Sequence, residues 1–63
     1  MKLEFYAKTT DDKNIEQIAD TYNLTIFHKR NIIKGDKRSW TFSGTQENVY
    51  WFLWRMKGQY VLE

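Results

Sequence analysis

Eight consecutive positions, Val49-Tyr50-Trp51-Phe52-Leu53-Trp54-Arg55-Met56, carry seven apolar or aromatic side chains in a chain of only 63 residues. A domain of that size encloses a small core and keeps a thin margin of stability once chain entropy is subtracted. Arranged as a helix, the segment sets Val49, Phe52, Leu53 and Met56 on one stripe. Tyr50, Trp51 and Trp54 then fall on flanks that so small a core cannot enclose. That surplus aromatic surface asks for a cover from outside. Val, Tyr, Trp and Phe also favour strands, and an extended segment would instead put Tyr50, Phe52 and Trp54 on one face. Thr45 as an N-cap, the spacing of Trp51 and Arg55, and Gly58 beyond the run argue for the helix.

The rest of the composition limits the classes available. With 41% hydrophobic and 17% aromatic residues, the chain has the mass for one packed domain over residues 1–63 and is not a disordered tail. It has no cysteine, so neither a disulfide framework nor a thiolate zinc site can reinforce the small core. Packing or association has to do so. The richest apolar run is interrupted by Arg55, and no signal-peptide block stands at the N-terminus, so a cytoplasmic protein with no membrane span is expected. Abundant Lys, Asn, Ile and Tyr with no proline suit a small protein of an AT-rich bacterial or phage genome.

Residues Lys2 to Lys8 alternate, Leu3, Phe5 and Ala7 against Lys2, Glu4, Tyr6 and Lys8, which predicts a half-buried strand. Thr9 and Asp12 are spaced as a capping box, and a helix is expected from near Asp11, with Ile15, Ile18, Ala19 and Tyr22 as its apolar stripe. Asn23 suits a left-handed stop. A strand over Leu24–Ile33, a turn at Lys34-Gly35-Asp36-Lys37 and a returning strand over Arg38–Ser43 follow. The aromatic helix comes next, closed by Gly58, and Gln59–Glu63 suffices for a short edge strand able to pair with another chain. The order predicts an α+β, ferredoxin-like βαββαβ sandwich with two helices on one face of a small antiparallel sheet.

Charge is uneven along the chain. Asp11, Asp12, Glu16 and Asp20 fall in one stretch, and His28, Lys29, Arg30, Lys34, Lys37 and Arg38 in another, so an electrically polar molecule is expected from a net charge of only +2.

The inventory argues against an enzyme. With one histidine, His28, and no cysteine, no nucleophile–base arrangement or metal-ligand spacing can be assembled, and Asp11 and Asp12 suit a helix start. No cofactor and no small-molecule substrate is expected. Aromatics and arginine concentrate binding energy at protein interfaces, because they bury much area with few torsions to freeze. Tyr50, Trp51, Trp54 and Arg55 therefore make the expected contact set of a small regulator or inhibitor that binds a protein partner or forms a homodimer. Nucleic-acid binding is the alternative. Lys37-Arg38-Ser39-Trp40-Thr41-Phe42 resembles the RNP1 strand of RNA-recognition motifs, in which two aromatics stand on the open sheet face and stack with bases. Serine and threonine replace the small residues of that pattern, and Ser43 stands where the family has valine. The resemblance implies Trp40 and Phe42 as stacking groups, with Tyr6 as a third; read from alternation and charge, Phe27, Lys29, Arg30, Lys34, Lys37 and Arg38 are expected to join them as a basic surface for phosphates. Outward Trp40 and Phe42 would turn Ser39, Thr41 and Ser43 into the core, so burying the two aromatics is the less costly arrangement.

Overall fold

Leu3 and Phe5, alternate residues of the first strand, are fully buried, and the sheet is organised around them. The computed structural model describes residues 1–31 and 36–63. In order they form β1 (Lys2–Lys8), a 3-10 turn (Thr9–Asp11), α1 (Asp12–Thr21), β2 (Thr25–Asn31), β3 (Lys37–Ser43), α2 (Gln46–Arg55) and β4 (Gln59–Leu62). The fold is α+β, with two helices and a four-stranded antiparallel sheet of order β2-β3-β1-β4. The predicted end of β2 at Ile32 and Ile33, and the turn residues Lys34 and Gly35, lie outside the described residues.

Register decides which side chains meet the helices. Leu3 stands opposite Phe42 and Phe5 opposite Trp40, so all four point to the face on which both helices lie. Ile15 and Ala19 of α1 and Val49 and Phe52 of α2 complete the core with Leu24. Phe52 meets Phe5 edge-on at 5.3 Å and Phe42 at 5.0 Å, which fixes α2 over β1 and β3. Trp40 and Phe42 thus take the buried alternative, stacked on each other at 5.6 Å. Ser39, Thr41 and Ser43 occupy the open face, where their hydroxyls stay in reach of water.

The helix ends follow local chemistry, with corrections. Thr45 Oγ1 accepts a hydrogen bond from Asn48 N at 3.2 Å, as an N-cap should. Asn23 has φ of 56°, the left-handed stop that its short polar side chain tolerates. The expected capping box at Thr9 and Asp12 does not form: α1 is entered through the 3-10 turn with no side-chain cap, because the Asp12 carboxylate is drawn to Arg38. Gly58 does not terminate α2, which ends at Arg55 with Met56 already extended. Its place is instead a close approach, since a Cβ there would lie 2.8 Å from Phe5 Cζ.

Candidate interaction surfaces

The first surface is the outer side of α2. Its core stripe, Val49 and Phe52 with Leu53 and Met56 half-buried, follows from helical spacing and leaves Tyr50 and Trp51 48% exposed and Trp54 71% exposed. Trp51 and Trp54 are one turn apart and pack edge-to-face, ring centroids 5.8 Å apart. Each thereby covers part of the other, yet both remain largely in solvent. Arg55 falls elsewhere: it lines a groove between the helices with Asn14, Gln17, Ile18, Thr21 and Tyr22. Of the four residues expected to act together, Tyr50, Trp51 and Trp54 share the outer side and Arg55 turns toward α1.

Three exposed apolar residues join this picture from β4, namely Tyr60, Val61 and Leu62. Tyr60 and Leu62 stand opposite Phe5 and Leu3, on the helix side of the sheet, and Val61 stands opposite Glu4, on the open side. The sequence signal for them is a run without charge, Gln59-Tyr60-Val61-Leu62, following the glycine at 58. Its exposure depends on β4 being the outermost strand, which only the sheet order reveals.

The second surface is the open sheet face. A shallow depression there is lined by Lys2, Glu4, His28, Arg30, Ser39, Thr41 and Glu63. A register shift between Ile26 and His28 gives β2 an extra residue, Phe27. The Phe27 ring lies 5.5 Å from Lys2 Nζ, so it joins the open face next to His28. Tyr6 lies on the same face and donates its hydroxyl to Glu4 Oε2 at 3.2 Å. The Glu4 charge and that hydrogen bond hold the Tyr6 phenol above its ordinary 10.0.

The residues expected to form a basic aromatic face are divided between the two sides of the sheet. Tyr6, Phe27 and Arg30 lie on the open side, as does Lys37, which stands opposite Lys8. Trp40 is fully buried and reaches no outside ligand. Lys29 lies on the helix side, opposite Trp40, because the extra residue at Phe27 reverses the alternation. Its ammonium sits 2.8 Å from Glu16 and 5.1 Å from the Trp40 ring centroid. Arg38 is also on the helix side, paired with Asp12. Lys34 lies outside the described residues. Two members of each charged stretch, Asp12 and Glu16 of α1 and Lys29 and Arg38 of the hairpin, pair with one another across the helix–sheet contact.

Among the described residues no group of three or more His, Asp or Glu side chains is placed to hold a metal ion. No described helix is long and apolar enough to cross a membrane. Comparison with protein-family models, with curated proteins and with solved structures gives no match.

Proposed function

We propose that this is a ferredoxin-like βαββαβ sandwich acting in the cytoplasm as a non-enzymatic protein-binding module, a small regulator or inhibitor, that contacts a protein partner or a second copy of itself through the aromatic side of α2. The fold reading is supported by the strand order: each helix links two strands with one strand of the other half between them, the pattern of interleaved βαβ units. Such an architecture says little about activity, so function has to come from the surface.

The observation that carries the binding reading is the exposure of Trp54, at 71%, beside Trp51. Covering about 150 Å² of indole contributes roughly 4 kcal/mol at about 25 cal/mol per Å², before the costs of association. A regular helix presents these rings on a rigid surface, so little ordering cost is added when they are covered. The test is replacement of Trp51 and Trp54 by serine, with sedimentation and acrylamide quenching of the tryptophan emission. Association that vanishes in the variants while the unfolding midpoint holds supports the reading. Emission equally quenchable at every protein concentration and with every partner tried counts against it.

One observation keeps the nucleic-acid reading as the alternative. Lys2, Lys8, Arg30 and Lys37 share the open face with Tyr6 and Phe27, an arrangement suited to a phosphate backbone with a base stacked on an aromatic ring. Reversing Lys8, Arg30 and Lys37 to glutamate and measuring oligonucleotide binding at two salt concentrations separates the readings. Salt-dependent binding lost in that variant, with association indifferent to Trp51 and Trp54, would reverse their order.

A further inference from the structure

We infer that the cover of the α2 flank is a second copy of this chain, joined through the outer edge of β4 in a twofold antiparallel pairing centred on Val61. The inference rests on the protein-binding reading of α2 and names its partner.

The hydrogen-bond pattern of β4 shows which of its amides are free to pair outward. Glu63 N donates to Lys2 O at 3.0 Å, and bonding alternates along an antiparallel ladder. Val61, opposite Glu4, and Gln59, opposite Tyr6, therefore turn their amides toward β1 as well. Tyr60 and Leu62 turn theirs outward, where β4 has no neighbouring strand among the described residues. A twofold axis at Val61 sets Tyr60 of each copy against Leu62 of the other. Both pairs are then of the hydrogen-bonded kind, and every outward amide of the strand finds a partner.

The side chains agree with that register. Tyr60 and Leu62 meet on the helix side of the joined sheet, an aromatic–aliphatic cross-strand pair. Val61 meets its own copy on the open side, and Glu63 faces Gln59, so no like charges oppose each other. Arg55 marks the side of α2 nearest α1. At about 100° per residue, Leu53 and Tyr50 project from the other side, toward the β4 edge, while Trp54 points away from the sheet. The twofold axis brings these two flanks together above the joined strands. Covering the exposed parts of Tyr50, Tyr60, Val61 and Leu62 removes roughly 350 Å² per copy, taking about 150–250 Å² for a whole side chain, so the pair is a small interface in which the joined backbone supplies much of the hold.

The opposite edge of the sheet is built differently. β2 carries His28, Lys29 and Arg30 and the register shift at Phe27, features that block strand addition. β4 carries no charged residue. Among the described residues, the β4 edge is the one suited to pairing.

Sedimentation of the full chain at rising concentration, with variants, tests the pairing. The wild type is expected at twice the monomer mass. Leu62→Pro removes an outward amide that β1 does not use, and is expected to weaken the dimer roughly thirtyfold beyond Leu62→Ala, about one net hydrogen bond at each of two symmetric sites. Val61→Cys gives a single thiol in a cysteine-free chain. Its copies should face each other at a Cα separation of about 4.5 Å, within disulfide reach, and oxidise to a linked dimer, whereas Gln59→Cys should not. That readout does not depend on the proline variant folding. A wild type that stays monomeric at 100 μM, or Val61→Cys that does not cross-link, overturns the inference. A dimer indifferent to Leu62→Pro but lost in Trp54→Ser overturns the strand pairing and leaves the α2 reading standing. A dimer lost in Leu62→Pro but indifferent to Trp51 and Trp54 keeps the pairing and overturns that reading.

Discussion

Arg38 grips Asp12 with two prongs, Nε to Oδ1 at 2.8 Å and Nη2 to Oδ2 at 2.8 Å, and so ties the middle strand β3 to the first turn of α1. Planar guanidinium and carboxylate groups match in this geometry, and both side chains are about four-fifths covered. Asp12 is thereby held at the N-terminus of α1, where its charge also favours the helix dipole. Lys29 adds a longer contact at 3.8 Å to Asp12 and a closer one, 2.8 Å, to the more exposed Glu16.

Asp12→Ala is accordingly expected to cost about 1–2 kcal/mol of folding stability, and Glu16→Ala no more than about 0.5 kcal/mol, since the second pair is more exposed and more screened. Urea unfolding at low and high salt measures both. Equal losses for the two variants would show that the fork geometry contributes nothing beyond simple charge.

Trp40 and Trp54 are the same residue type in opposite environments. Trp40 is wholly enclosed between Phe42 and the helices, and its Nε1 donor has no partner among the described residues. The apolar body of the ring has to outweigh that unpaired donor. Trp40→Ala should cost about 3–5 kcal/mol, enough to unfold most of so small a domain. In dilute protein, where no cover is present, Trp54→Ser should stay within about 0.5 kcal/mol of wild type. Thermal and urea unfolding followed by far-ultraviolet circular dichroism reads both.

Much of the fold is legible in the chain because its short elements carry clean periods. Leu3, Phe5 and Ala7 alternate, Ile15, Ile18, Ala19 and Tyr22 repeat at helical spacing, and Thr45 announces α2. The alternation argument also places Trp40 and Phe42 inward correctly, since hydroxyls make a poor core. What local pattern could not show is the extra residue at Phe27, because a strand's register depends on its partner. That single shift sends Lys29 to the helix side and takes it out of the basic face. The Arg38–Asp12 pair spans 26 residues, and it is invisible until the sheet brings β3 beneath α1. Gly58 misleads for a related reason, since a glycine near a helix end suggests a stop and here makes room for Phe5.

Gly58→Ala tests that room directly. A methyl group 2.8 Å from Phe5 Cζ and 3.2 Å from Tyr6 O has to displace a fully buried ring or a backbone carbonyl. The expected cost is about 1–3 kcal/mol from overpacking, much more than the change in backbone entropy could offset. A variant as stable as wild type in urea would mean that β4 can move away from β1 without loss.

Tyr6 and Glu4, two residues apart on the open side of β1, give the fold a measurable alkaline response. The neighbouring carboxylate disfavours a second negative charge and accepts the phenol's hydrogen bond, so the folded protein holds the Tyr6 proton above the ordinary 10.0. Because the unfolded chain releases that proton first, the stabilisation is complete below the unfolded pKa and is lost as pH rises through the folded one. Glu4→Gln removes the charge and is expected to bring one tyrosine step back toward the ordinary value in the 295 nm absorbance titration. It should also flatten the corresponding part of the decline in unfolding midpoint above pH 10. Superimposable titrations of wild type and variant would show that Tyr6 does not sense Glu4 in solution.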